Sequence, residues 1–73
     1  MNLTLDQAAL VTGTSVRTVQ NRVSDGHFKP IYSGRYTYID AESIIGYYTT
    51  RSHTAREDLR RVRANIAHLR DAQ

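Results

Sequence analysis

The spacing of apolar positions changes along the chain and divides it into segments of different kind. From Leu5 to Val23 they recur at helical spacing in two short blocks separated by Gly13. The first block predicts a helix over about residues 5–11, because Thr4 and Gln7 form a Thr-x-x-Gln capping box at its start. Ala8 and Ala9 are small enough for a second helix to approach, and Gly13 can take a positive φ at little cost, so a sharp turn is expected there. Ser15 is a good N-cap for a second helix that reaches about Ser24, where Asp25-Gly26 ends it. On a wheel of about 100° per residue, Val16, Val19 and Val23 fall within about 60° of one another and face the core.

Between Phe28 and Ile39 the pattern becomes β-rich, with Ser33-Gly34 between two aromatic and β-branched runs, which predicts a hairpin over about 31–39 with Arg35 near its tip. Strand alternation sets Tyr36 and Tyr38 on one face, expected half-buried, and Thr37 and Ile39 on the other, with Ile39 expected in the core. Asp40 is a natural N-cap for a third helix with Glu42 in its first turn, and Ile44, Ile45 and Tyr48 supply its apolar stripe. The polar run Thr49-Thr50-Arg51-Ser52-His53 predicts a break. Thr54 and Glu57 then form a second capping box, opening a final helix. Its apolar residues Ala55, Leu59, Val62, Ile66 and Leu69 make a stripe only about 80° wide, the width of a coiled-coil seam. That favours self-association through these five residues; the same chain or a foreign protein are the other partners open to it.

The second helix carries chemistry on the side away from its valines. Arg17 and Asn21 lie there, with Thr18, Gln20 and Ser24 beside them and Arg22 on one flank. Asn and Gln pair with adenine edges, Arg with guanine, and Thr with a thymine methyl or a phosphate, so this face suits the major groove of a duplex. A hairpin directly after such a helix is placed like a wing. Arg35 can then reach a phosphate or the minor groove, and Lys29, Tyr32 and Tyr36 can add backbone contacts. The plainer reading is an antiparallel helix pair with a solvated polar face and an ordinary solvated turn at Arg35.

The run Gly13-Thr14-Ser15-Val16-Arg17-Thr18-Val19, followed by Gly34-Arg35-Tyr36 and Ile39-Asp40-Ala41-Glu42-Ser43-Ile44, resembles the DNA-binding domains of the MerR-like and phage excisionase families over about Leu3 to Tyr48. The resemblance implies a small winged helix-turn-helix of three helices and a hairpin in residues 1–50, so that, with the basic C-terminal helix of residues 51–73 read from its own pattern, the fold is expected to be mainly α. It also implies that Ser15, Arg17, Thr18 and Asn21 approach the major groove, with Arg35 as the wing contact. Members of the excisionase type bend DNA and direct phage integrases, or act as compact regulators. MerR activators usually continue with Arg-Tyr-Tyr where this chain has Gln20-Asn21-Arg22, and they carry a much longer effector region.

Charge sharpens this picture. Four basic residues balance four acidic ones up to residue 50, so the whole net charge of +3 lies beyond it. Arg56, Arg60, Arg63 and Arg70 gather on one flank of the final helix, which could track a DNA backbone; a solvated face with a Glu57–Arg61 pair is the competing account. At 73 residues the chain supports one small domain that buries about 60% of its unfolded surface, so a dimer contact would help it. No cysteine is present, so no disulfide and no thiolate metal site is expected. His27, His53 and His68 lack metal-ligand spacing, and no nucleophile or phosphate-cradling motif occurs, so the reading is of a non-enzyme without metal or cofactor. No signal peptide or membrane-spanning run is recognised, which gives the expectation of a cytoplasmic, nucleoid-associated protein of a bacterial host cell. Two function classes remain: a double-stranded DNA binder, acting as homodimer, cooperative array or integrase partner, and a protein-interaction adaptor or inhibitor working through the last helix.

Overall fold

The computed structural model describes residues 1–50 and 55–72. It is mainly helical, with a small antiparallel sheet. Chain order runs β1 (Asn2–Leu3), α1 (Leu5–Thr12), α2 (Val16–Ser24), β2 (Pro30–Ser33), β3 (Tyr36–Asp40), α3 (Ala41–Thr50) and α4 (Ala55–Asp71).

Each boundary has a local cause. At the start of α1 the Thr4 hydroxyl accepts from the Gln7 amide at 3.1 Å, while the Thr4 amide donates to Gln7 Oε1 at 3.0 Å, so the expected capping box is complete. The helix stops at Gly13, whose φ of 70° would strain any side chain-bearing residue. Thr12 is buried there, and its hydroxyl is satisfied by the Ala8 carbonyl at 2.9 Å. Ser15 then caps α2 by accepting from the Thr18 amide at 3.1 Å. In the hairpin, Gly34 has a φ of 61° and Arg35 a negative one, the type II′ pattern that suits the twist of a two-residue β-turn.

Three strands form the sheet, in the order β1-β3-β2. The short β1 is an addition to the expected hairpin: Leu3 pairs with Ile39 and Asn2 with Asp40, so the chain start becomes an outer strand. On the far side of β3, Ile31 stands opposite Tyr38 and Tyr32 opposite Thr37. Ser43 links the sheet to α3, its hydroxyl donating to the Asp40 carbonyl at 2.6 Å and accepting from the Lys29 amide at 3.0 Å.

The core draws one fully buried large side chain from each of six elements: Leu3, Val11, Val19, Ile39, Ile44 and Val62. Val62 is the telling member. Together with Ile66 it seats α4 in the same core as α1 and α3, with Leu69 packed at the margin, so the core runs across the boundary expected at residue 50. Three residues of the stripe expected as a self-association seam, Val62, Ile66 and Leu69, are therefore used within the chain. A narrow stripe suffices because it drops into the cleft between two helices. The break expected from Thr49 onward does not begin there: α3 continues through Thr50, with the Thr49 and Thr50 hydroxyls donating to the Ile45 and Tyr47 carbonyls at 2.7 and 3.1 Å. The rest of the expected break, residues 51–53, the Thr54 cap and the side chains of Ala55 and Arg56 lie outside the described residues.

Asn65 fastens α4 to α1. Its side-chain amide donates to the Val11 carbonyl at 3.2 Å and, more weakly at 3.5 Å, to that of Leu10, which also accepts from the Gly13 amide at 3.3 Å, so it serves carbonyls of the last turn of α1. Asn65→Ala is expected to cost about 1 kcal/mol. In a domain of this size that lowers Tm by roughly 5 °C in a thermal melt followed by circular dichroism; an unchanged Tm would show that the bond contributes nothing net.

Candidate nucleic-acid interface

The candidate surface is the outer face of α2. Val19 is fully buried and Val16 and Val23 are half-buried against the core, so the phase of the helix is fixed and Arg17, Gln20, Asn21 and Ser24 all point to solvent. Arg17, Gln20 and Asn21 make no side-chain hydrogen bond or ion pair among the described residues, and their donors and acceptors stay available. Ser15 and Thr18 differ. The Ser15 hydroxyl caps α2 and donates to Thr18 Oγ1 at 3.1 Å, so each hydroxyl already has a partner in the other.

The two flanks of this face meet different elements. Toward the sheet, Gln20, Val23 and Ser24 line a shallow groove with Leu5, Tyr32 and Thr37, so the α2 surface continues onto the hairpin. Toward α3, the Arg22 guanidinium lies 5.6 Å from the centre of the Tyr47 ring, a cation–π contact that draws this side chain away from the α2 crest. Tyr47 also packs edge-on against Phe28 and Tyr48, with His27 tilted across it at 5.0 Å.

The hairpin residues divide between two faces. Register sets Tyr32 and Thr37 on the α2 side of the sheet, while Tyr36 stands on the other face with Tyr38, ring centres 6.5 Å apart. Tyr38 is half-buried as expected, but Tyr36 is 62% exposed, because it lies beside the turn where the sheet has run out of neighbours. Arg35 is exposed in the turn itself. Lys29 is separated from the α2 face: it lines an open groove between the 25–29 loop and α3, with His27, Ser43, Gly46 and Tyr47. Hence Arg17, Gln20 and Asn21 form one surface that extends through Tyr32 and Thr37 toward Arg35, whereas Lys29, Tyr36 and Arg22 lie around its edges.

Thr37 was missed by the sequence reading and Tyr32 was given only a minor part. The signal for both was present, since a core Ile39 puts Thr37 on the helix side and hairpin pairing puts Tyr32 opposite it.

Arg61 pairs with Asp58 at 2.8 Å, where the competing account of this helix gave it Glu57. Arg63 is on the far side of α4, about 160° around the helix from Asn65. The expected flank of Arg60, Arg63 and Arg70 accordingly points away from the face that Asn65 fastens to α1.

Among the described residues no group of three or more His, Asp or Glu is placed to hold a metal ion, and no helix is long and apolar enough to cross a membrane. Comparison with protein-family models, curated proteins and solved structures gave no match to this chain.

Proposed function

We propose that the protein binds double-stranded DNA sequence-specifically as a small winged helix-turn-helix factor, with α2 in the major groove and the β2–β3 turn as a wing on the backbone or in the minor groove. The observation that carries this reading is the continuous surface of uncommitted polar side chains: Arg17, Gln20 and Asn21 on a helix locked in phase by Val19, extended by a groove onto the hairpin that bears Arg35. An α-helix with its side chains is about 10–12 Å across, which a major groove about 12 Å wide accepts. Arg17 and Asn21, one turn apart, are placed to meet base edges, and Ser15 and Thr18 sit where the helix start approaches a phosphate. An excisionase-like factor in DNA recombination or a compact transcription regulator, of phage or bacterial kind and working in the cytoplasm, are the two roles that such a module fits. The adaptor reading loses its main support, because Val62 and Ile66 are spent on the core of this chain.

Selection from a pool of random duplex DNA, sequenced after binding at two salt concentrations, tests the reading. A recovered motif is the expected outcome, with repeats in it distinguishing a dimer from an array. Binding that yields no motif and vanishes at the higher salt would leave only non-specific attraction.

A further inference from the structure

The α4 helix meets the turn that leads into α2. An ideal Cβ built on Gly13 would sit 3.0 Å from Arg61 Nη1, so the guanidinium lies directly against the backbone of the turn between α1 and α2. Gly13 therefore serves two ends, a positive φ and the close passage of Arg61. The other terminal nitrogen, Nη2, is held by Asp58 at 2.8 Å, while the side chain as a whole remains 53% exposed. Arg22, on the flank of α2 that faces α3, is held over the Tyr47 ring. Both guanidinium groups lie within electrostatic reach of the Tyr48 hydroxyl, whose pKa is raised mainly by burial and then by Asp58, with Arg22 and Arg61 opposing. Two restrained cations thus stand at the same side of α2.

That side is the one away from the hairpin. Around the axis of α2, Gln20 and Ser24 lead to Tyr32 and Thr37, whereas Arg22, with Thr18 on the same side of the helix, leads to Tyr47 of α3. A helix seated in a major groove has a phosphodiester strand along each wall. Arg35 is placed for one of them; toward the other, residues 1–50, which carry no net charge overall, present Arg22, and α4 adds Arg61. We propose that Arg61 of α4, together with Arg22 of α2, forms a phosphodiester-binding flank that holds the DNA strand opposite the wing. Asp58 and Tyr47 orient the two guanidinium groups, so that less side-chain entropy is lost on contact. The proposal rests on the DNA-binding reading and gives α4 a share in it that neither self-association nor the Arg60/Arg63/Arg70 flank supplies.

The test is a salt titration of the full chain on the selected duplex and on a random-sequence duplex of equal length. Arg61→Gln is expected to weaken binding to both alike, leave the selected motif unchanged, and flatten the log–log salt dependence by about 0.9, one phosphate contact. Adding Arg22→Gln should flatten it about twice as much. Arg61→Lys, which keeps the charge at the turn, should retain most of the slope, and that recovery separates phosphate contact from simple loss of packing. Arg63→Gln removes an equal charge from the far side of α4 and should change the slope less. A slope unaltered in Arg61→Gln, or altered equally in Arg63→Gln, would overturn the flank while leaving the DNA-binding reading standing. Failure of the unmodified chain to bind either duplex would overturn both.

Discussion

Val62→Asp is expected to unfold the chain. Val62 is 1% exposed in the same core as Leu3, Val11, Val19, Ile39 and Ile44, so an aspartate there would have to bury an unpaired carboxylate or pull α4 off α1 and α3. Either route costs several kcal/mol. A domain of 73 residues has a total stability on the order of 5–10 kcal/mol. Removing α4 by truncation at residue 50 should act the same way, because Ile66 and the Asn65 bonds to α1 leave with it. The milder Ile66→Ala leaves a cavity and should cost about 3 kcal/mol. Circular dichroism with sedimentation decides between this and the competing use of the stripe. Loss of helical signal and of a cooperative melt is the expected result for Val62→Asp. A folded, cooperatively melting Val62→Asp whose mass is halved relative to the unmodified chain would instead make the stripe an interface between copies.

The contrast between what could and could not be read from the residues has a physical pattern. Local signals were legible wherever a single residue has one low-cost conformation or one nearby partner: the Thr4–Gln7 box, the positive φ at Gly13, the Ser15 cap and the tight turn at Gly34 all lie where the residue chemistry puts them. The phase of α2 was legible too, since three valines on one side leave only one outer face. Features that depend on distant pairing were not. A two-residue strand such as β1 has no periodicity of its own, and it exists only because Asn2 and Leu3 find the free edge of β3. The α4 stripe states that a surface must be covered but carries no information on whose surface does it. For the same reason the position of Arg61 at Gly13 could not be foreseen: Gly13 fully accounts for itself as a turn residue, and nothing in its neighbours announces the cation that passes over it.

Arg17→Ala combined with Asn21→Ala is expected to remove sequence-specific binding while leaving the fold intact. Both side chains are exposed on α2 and make no bond or ion pair among the described residues, so their truncation should change stability by no more than about 0.5 kcal/mol. On DNA the cost is different in kind. A well-placed bidentate base contact discriminates by about 1–3 kcal/mol, so the loss of two lowers affinity for the selected duplex by roughly 30-fold or more. Affinity for random-sequence DNA should fall less, because most of it comes from cations elsewhere, Arg35, Arg22 and Arg61 among them. The ratio of the two affinities is therefore the quantity to measure, by titrating both duplexes with the unmodified and the double variant under one salt condition. The same experiment separates base reading from the flank at Arg61, whose removal should lower both affinities and preserve the ratio. If the double variant kept the full ratio, α2 would not be the element that reads the bases, and the polar face would be no more than a solvated surface. A collapse of the ratio with an unchanged melt would tie specificity to the two side chains that Val19, by fixing the rotation of the helix, turns outward.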